Sequence, residues 1–393
     1  MTQFTFFNPV RLLFGAGTFE KLGEHAAAHG SRSLLVTGRT SARSSGLLTR
    51  AVRLLAAAGL QVTVFDRVMP NPTAAIVDEG AALAREAGCD LIVGVGGGSA
   101  MDAAKAIAVC AAHEGPAVEF LRVEDKREPT EATLPIICAT TTAGTSSELT
   151  RFAVITVEEL TQKSSIASDL IFPRVAIVDP ELTVSCPPSV TANVGVDVLA
   201  HAVEGYFSTV ASPVTDACAE RAIALVARHL PRAVADGTDL DARTGMALAN
   251  VFAGYVLSNC GATVLHGLEH PISAHYPQVA HGAGLAVMMV AWAERFWDRD
   301  PLKFGRIAKA LGRWVPGAPL EQSAEFAADA IRALLSRIGL DLGLADLGVE
   351  RDKLQVIADD ALRYMGGAVE KTPADLSRDD LIELLEASYH RGE

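Results

Sequence analysis

Residues 91–108 read LIVGVGGGSAMDAAKAIA. An apolar, partly β-branched run from Leu91 to Val95 passes through Gly94, Gly96, Gly97 and Gly98 into Ser99 to Ala112, where apolar residues recur at three- and four-residue steps. That pattern predicts a buried strand, a glycine turn and a helix. Glycines let a backbone approach a phosphate closely, and the free N–H groups that open a helix, helped by its dipole, receive a pyrophosphate. The dinucleotide fingerprint G-x-G-x-x-G is not strictly met, because Ser99 holds its last glycine position. A tight turn without a ligand is the plain alternative. Strand, glycines and helix in register favour phosphate binding.

Outward from this stretch the N-terminal half alternates. Ser33 to Thr37, Gln61 to Phe65, Leu134 to Ala139 and Val175 to Val178 read as further strands, while Gly46 to Ala58 and Thr73 to Ala87 read as helices. The fold class expected is α/β, a mostly parallel sheet covered by helices, with ligands at the carboxyl ends of the strands. Strand signals stop near Asp179-Pro180, and Cys186-Pro187-Pro188 marks a boundary. Helical patterns follow at Val190 to Ser208, Pro213 to Leu230, Asp241 to Ser258, Gly284 to Phe296, Leu302 to Leu311, Leu320 to Ile338 and Arg351 to Tyr364. The expected division is residues 1–185, dinucleotide-binding, and residues 186–393, all-helical, binding metal and substrate, with chemistry in the cleft between them.

Composition narrows the function. A chain of 393 residues with 49% hydrophobic and 6% aromatic content suits a two-domain enzyme. Its mean hydropathy is positive, yet the apolar run from Ala283 to Ala293 falls well short of the roughly twenty residues that span a bilayer. A net charge of −13 disfavours nucleic acid and anionic membranes as partners. The start, MTQFTFFNPVRLLFG, lacks the basic leader and apolar core of a signal peptide, and the six cysteines are scattered without a C-x-x-C pair. A reducing cytoplasm suits them.

Three polar constellations carry chemistry. Residues 266–281, HGLEHPISAHYPQVAH, hold His266, His270, His275 and His281, and Asp197 and His201 stand at i and i+4 upstream. One carboxylate with several imidazoles is a divalent-metal set, and Pro271, Gly282 and Gly284 offer a bend that returns His281 to the same point. The spacing leaves open which imidazoles bind. The loop Thr140 to Glu148, TTTAGTSSE, follows a strand where phosphates and ribose would lie, or is a capped turn. After Thr37, the residues Gly38, Arg39, Thr40 and Ser41 stand where an NAD enzyme places an acid on the ribose hydroxyls; without the acid, NADP is favoured over NAD. Arg39 reads equally well as a solvated surface charge.

Together these stretches resemble the iron-containing (group III, metal-dependent) alcohol dehydrogenase family. GGGSAMDAAK at 96–105 is similar to the family's GGGSxxDxAK, TTAGTSSE at 141–148 to TTxGTxxE, and VDVLAHAVEGY at 196–206 to DxxxHAxE; the two histidine stretches complete the match. The resemblance implies metal ligands Asp197, His201, His266 and His281, with His270 near the nicotinamide as proton relay. It places Gly97, Gly98 and Ser99 on the pyrophosphate, Asn71 of the PNPT turn, Thr141 and Thr142 nearby, Lys163 on the nicotinamide ribose, and Asp102 facing the cofactor as a catalytic residue beside His270. It implies the two-domain dehydroquinate-synthase-like fold and at least a homodimer. The chain departs from the family pattern at Gly38, in place of aspartate, at Ala280 in a His270–His281 interval one residue longer than usual, and at Ser146-Ser147, where little consequence is expected.

The implied reaction is reversible hydride transfer between a small or medium alcohol and nicotinamide, with the metal as Lewis acid. His275 is the competing relay or a surface histidine beside Tyr276. Aspartate with three histidines suits Fe²⁺ and Zn²⁺ alike; the resemblance implies iron. The pocket is expected to be lined by Phe152, Leu257, Asn259, Cys260, Val264 and Tyr364. Two other readings share the fold. A maleylacetate-reductase-like enzyme has no need of the four ligands, and a dehydroquinate-synthase-like lyase needs Lys and Arg around the metal, which residues 197–206 and 266–281 lack.

Overall fold

The strand expected at Leu91 is central in the α/β part of the chain. In this computed structural model, which describes residues 3–390, β1 (Arg11–Phe14), β2 (Arg32–Gly38), β3 (Gln61–Val68), β4 (Leu91–Gly96), β5 (Ile136–Thr140) and β8 (Val175–Val178) form a six-stranded sheet in the order β1-β8-β5-β4-β2-β3. All its pairings are parallel. β6 (Phe152–Val157) and β7 (Gln162–Ala167) make a separate antiparallel hairpin. The α/β helices are α1 (Leu22–Ala27), α2 (Ser41–Ser44), α3 (Leu47–Ala57), α4 (Ala74–Glu86) and α5 (Gly98–Ala112).

A parallel sheet is stable when both faces are covered, so its strands are apolar throughout rather than alternating. All six residues of β4 are buried. One core cluster takes Leu34, Val36, Ile92, Ile136 and Cys138 with Ile107 of α5 and Val77 of α4; the other takes Leu35, Leu91, Val93, Ile137 and Ala139 with Leu22 of α1 and Leu55 of α3. Each such side chain contributes about 1.5–3 kcal/mol. Strand order reverses between β2, whose successor β3 lies outward, and β4 on its other side. Open α/β sheets bind ligands at such a switch point. The loops there begin at Gly38 and Gly96.

The helical part comprises α6 (Pro188–Tyr206), α7 (Pro213–Ala235), α8 (Leu240–Cys260), α9 (Val264–His275), α10 (His281–Phe296), α11 (Pro301–Ala310), α12 (Ala327–Arg337), α13 (Leu354–Tyr364), α14 (Gly366–Val369) and α15 (Arg378–Ala387). Capping boxes start α7, at Ser212 and Thr215, and α15, at Ser377 and Asp380. The helix expected from Leu320 to Ile338 is divided into a 3-10 turn, Leu320–Phe326, and α12. Among the described residues no single helix is long and apolar enough to cross a membrane.

The chain separates into one compact unit from Asn8 to Ser185 and another built on Cys186 onward. Residues 3–7, expected with the α/β part, group with the helical one. The Phe7 N–H donates to Asn259 Oδ1 at 2.8 Å, and Phe6 meets Tyr255 edge-on at 6.2 Å.

Candidate metal centre and dinucleotide cradle

α6 presents Asp197, His201 and Glu204 on one face, at i, i+4 and i+7. His201 Nε2 lies 3.4 Å from Asp197 Oδ1. From α9, His266 Nε2 comes to 3.4 Å of the same oxygen, and from the first residue of α10, His281 Nε2 comes to 3.6 Å. Donors about 2.1 Å from a common cation in a tetrahedral array stand about 3.4 Å apart. Asp197, His201 and His266 have donor atoms within 4.8 Å of one another, a set that could hold a metal ion, and His281 Nε2 approaches the same carboxylate oxygen. Asp197 Oδ1 and His266 Nε2 are buried and make no hydrogen bond, a cost that a bound cation would offset.

Close helix approach brings these donors together. Pro271, expected to bend the chain, lies inside α9, and the return is made by residues 276–280. Gly282 and Gly284 are helical and act by size. A Cβ on Gly282 would stand 2.0 Å from the Asn193 carbonyl oxygen of α6, and one on Gly284 would stand 3.0 Å from Glu269 Cγ. Without these side chains α10 lies against α6, carrying His281 to Asp197.

Two buried acids support the imidazoles. Glu204 Oε2 accepts from His266 Nδ1, and Glu269 Oε2 accepts from His281 Nδ1. A carboxylate behind a ligating imidazole fixes its tautomer and orientation. The sequence signals were an acid in register with Asp197 and His201, and an acid beside His270. His270 is 8% exposed, its ring 6.2 Å from that of His266 and 5.8 Å from that of His281. His275 Nε2 pairs with Asp360 Oδ2 at 2.8 Å, and Arg363 holds the same carboxylate; His275 ties α9 to α13.

Burial is the largest influence on His201 and His266. It lowers His201 to about 4. For His266 burial also opposes charge, but Glu204 and Asp197 outweigh it and raise the imidazole to about 10. Metal-free protein at neutral pH thus carries a proton on His266 that an incoming ion must displace. Affinity falls as pH falls below that value. Titration calorimetry of the metal-free chain at pH 7 in buffers of different ionisation enthalpy should show release of about one proton per ion; uptake without release would contradict the assignment.

In the α/β unit, Gly97 is the N-cap of α5 and brings no side chain to the first N–H groups. The threonine loop packs directly against this turn. The Thr141 N–H donates to the Gly96 carbonyl at 2.9 Å, and a Cβ on Gly98 would stand 2.4 Å from Thr145 Cγ2. Ser99, Thr141 and Thr142 are half-buried around it. Asn71 has a left-handed backbone, φ 52°, and its turn is held by Thr156, whose N–H donates to the Pro72 carbonyl at 2.8 Å. Lys163 is the cross-strand partner of Thr156, so β6 lies between it and the Asn71 turn.

Asp102 is held by the protein itself. It is 8% exposed, and its oxygens accept from Ser147 Oγ at 2.5 Å and the Val154 N–H at 3.1 Å. It ties the threonine loop and β6 to α5. Ser147 therefore matters more than expected, and Ser146 adopts a left-handed φ of 51°. Of the expected pocket wall, Cys260 and Val264 are fully buried, Asn259 is engaged with Phe7 and Tyr255, and Phe152 belongs to β6 of the α/β unit.

Comparison with known proteins follows these divisions. The sequence model described as iron-containing alcohol dehydrogenase matches residues 9–180, and the C-terminal model of the Fe-containing alcohol dehydrogenase family matches residues 191–389. A choline dehydrogenase of Bacillus subtilis (strain 168) is 39% identical over 91% of this chain and 89% of its own. An NAD-dependent methanol dehydrogenase of Bacillus methanolicus is 33% identical over 97% of this chain and 98% of its own. Among solved structures, an archaeal halo-thermophilic alcohol dehydrogenase from a Red Sea brine pool superposes with a TM-score of 0.95 at 38% identity, covering 99% of both chains.

Proposed function

The chain belongs to the iron-containing alcohol dehydrogenase family, and from that premise we propose that it is a metal-dependent alcohol dehydrogenase or aldehyde reductase acting on a small or medium substrate. The observation that carries the proposal is the meeting of Asp197 Oδ1 with three imidazole Nε2 atoms within 3.6 Å. Asp197, His201, His266 and His281 would hold the ion, iron by family and zinc by ligand chemistry alike. When bound, the ion supplies a Lewis acid for the oxygen of the reacting alcohol or aldehyde. His270 would take the hydroxyl proton on oxidation and return it on reduction, as a general acid–base imidazole can. Glu204 and Glu269 hold His266 and His281 in place.

The α/β unit would bind the dinucleotide, with the pyrophosphate at Gly97, Gly98 and Ser99 on the α5 N-terminus. Thr141, Thr142, Asn71 and Lys163 would contact the remainder, and Asp102 would act by holding the loop. Gly38, Arg39 and Ser41 would receive the adenosine ribose and favour NADP over NAD. A Cβ on Gly38 meets nothing closer than 3.6 Å, so a side chain can be introduced there as a test. Gly38→Asp should lower the NADPH to NADH ratio of kcat/KM by about tenfold or more through repulsion of the 2′-phosphate; an unchanged ratio would place that phosphate elsewhere. The six free cysteines suit a cytoplasmic location, and a homodimer or larger assembly is expected on sizing with light scattering.

The test is kcat/KM for NADPH and NADH with a chain-length series of aldehydes, on protein reconstituted with Fe²⁺ or Zn²⁺. Metal-dependent aldehyde reduction is the expected result. Turnover that survives complete metal removal would overturn the proposal.

A further inference from the structure

Glu204 does two things with one carboxylate. It is fully buried in α6, and its Oε1 accepts from the backbone N–H groups of Thr263 at 3.0 Å, Leu265 at 2.9 Å and His266 at 3.3 Å, and from Thr263 Oγ1 at 2.8 Å. These donors open α9, whose N-cap Thr263 makes no side-chain cap of its own; an acid from another helix caps it instead. Oε2 takes His266 Nδ1. An ionised carboxylate only accepts, so the ring atom facing it carries the proton. Once an incoming ion has displaced the second ring proton, Nε2, 3.4 Å from Asp197 Oδ1, is the ring's available lone pair.

We infer that Glu204 is a positioning residue that selects the metal-binding tautomer of His266 and, through the same carboxylate, makes that selection part of the α9 cap. The inference rests on the proposed metal centre and adds a distinction that a purely structural acid would lack. In Glu204→Gln the four donors at Oε1 require the amide carbonyl on the cap side, so the NH₂ group faces Nδ1. Nδ1 must then accept, the ring proton moves to Nε2, and the ligating lone pair is lost. The near-isosteric amide keeps the helix cap and loses the metal ligand.

The experiment compares wild type, Glu204→Gln and Glu204→Ala, each stripped of metal. Metal-free melting is followed by circular dichroism, and Co²⁺ binding by its visible absorption bands. For Glu204→Gln the expected results are a metal-free melting loss clearly smaller than that of Glu204→Ala, a Co²⁺ dissociation constant raised about 10- to 100-fold, and altered cobalt bands. Glu204→Ala should lower both stability and affinity. Wild-type cobalt affinity and spectrum in Glu204→Gln would overturn the inference, and so would a melting loss equal to that of Glu204→Ala. Should the Gln variant not fold, ¹⁵N NMR of histidine-labelled, zinc-loaded wild type decides: the inference requires a protonated Nδ1 and a metal-bound Nε2 on His266, and the reverse pattern overturns it. Failure of wild type to bind Co²⁺ would instead remove the metal centre itself, and this inference with it.

Discussion

Asp197→Ala should yield protein without stoichiometric metal and with kcat/KM lowered by at least about 10³-fold, the scale of several kcal/mol of Lewis-acid stabilisation. The expectation follows from position and charge. Asp197 Oδ1 is the common neighbour of His201, His266 and His281, and Asp197 would supply the charge of a set otherwise made of neutral imidazoles. Its carboxyl is drawn below the ordinary carboxylate range although burial opposes ionisation, because the three histidines surround it. Elemental analysis beside steady-state kinetics and a circular dichroism check of the fold would measure the effect. A folded variant that kept one ion per chain and normal turnover would contradict the assignment.

His270→Ala should separate proton transfer from metal binding. His270 shares α9 with His266, yet its ring stands 6.2 Å from the His266 ring, and its donor atom groups with those of Glu269 and His281. Metal content should stay at the wild-type level while kcat falls about 10²-fold or more, within the range general acid–base catalysis contributes. The pH–rate profile should also lose a limb, because the proton-transferring imidazole has gone. Loss of metal together with activity would move His270 into the ligand set. Full activity with an unchanged profile would remove it from the reaction.

Much of this architecture could be read from local pattern. β4, the glycine turn and α5 declare themselves because a strand buried on both faces is continuously apolar and the helix after it has its own period. Asp197 and His201 were legible for the same reason, since i and i+4 share a helical face. Features set by helices crossing were not. Gly282 and Gly284 read as bends and instead permit close packing, and Glu204 reaches the start of α9 from a helix some sixty residues earlier in the chain. β1 is a four-residue edge strand, and the β6–β7 hairpin carries QKSSIA, whose polar residues mask its pairing. Nor did any local spacing announce that Asp102 binds Ser147 and Val154, which lie some fifty residues further along the chain.

A second group, Glu269, His270 and His281, also has donor atoms within 4.8 Å of one another, so the location of the ion is the decisive observable. Anomalous diffraction at the iron edge from crystals of the Fe²⁺-loaded chain measures it directly. The prediction is a single peak about 2.0–2.3 Å from Asp197 Oδ1 and from the Nε2 atoms of His201, His266 and His281. A peak centred on Glu269 and His270, or none within bonding distance of Asp197, would contradict it.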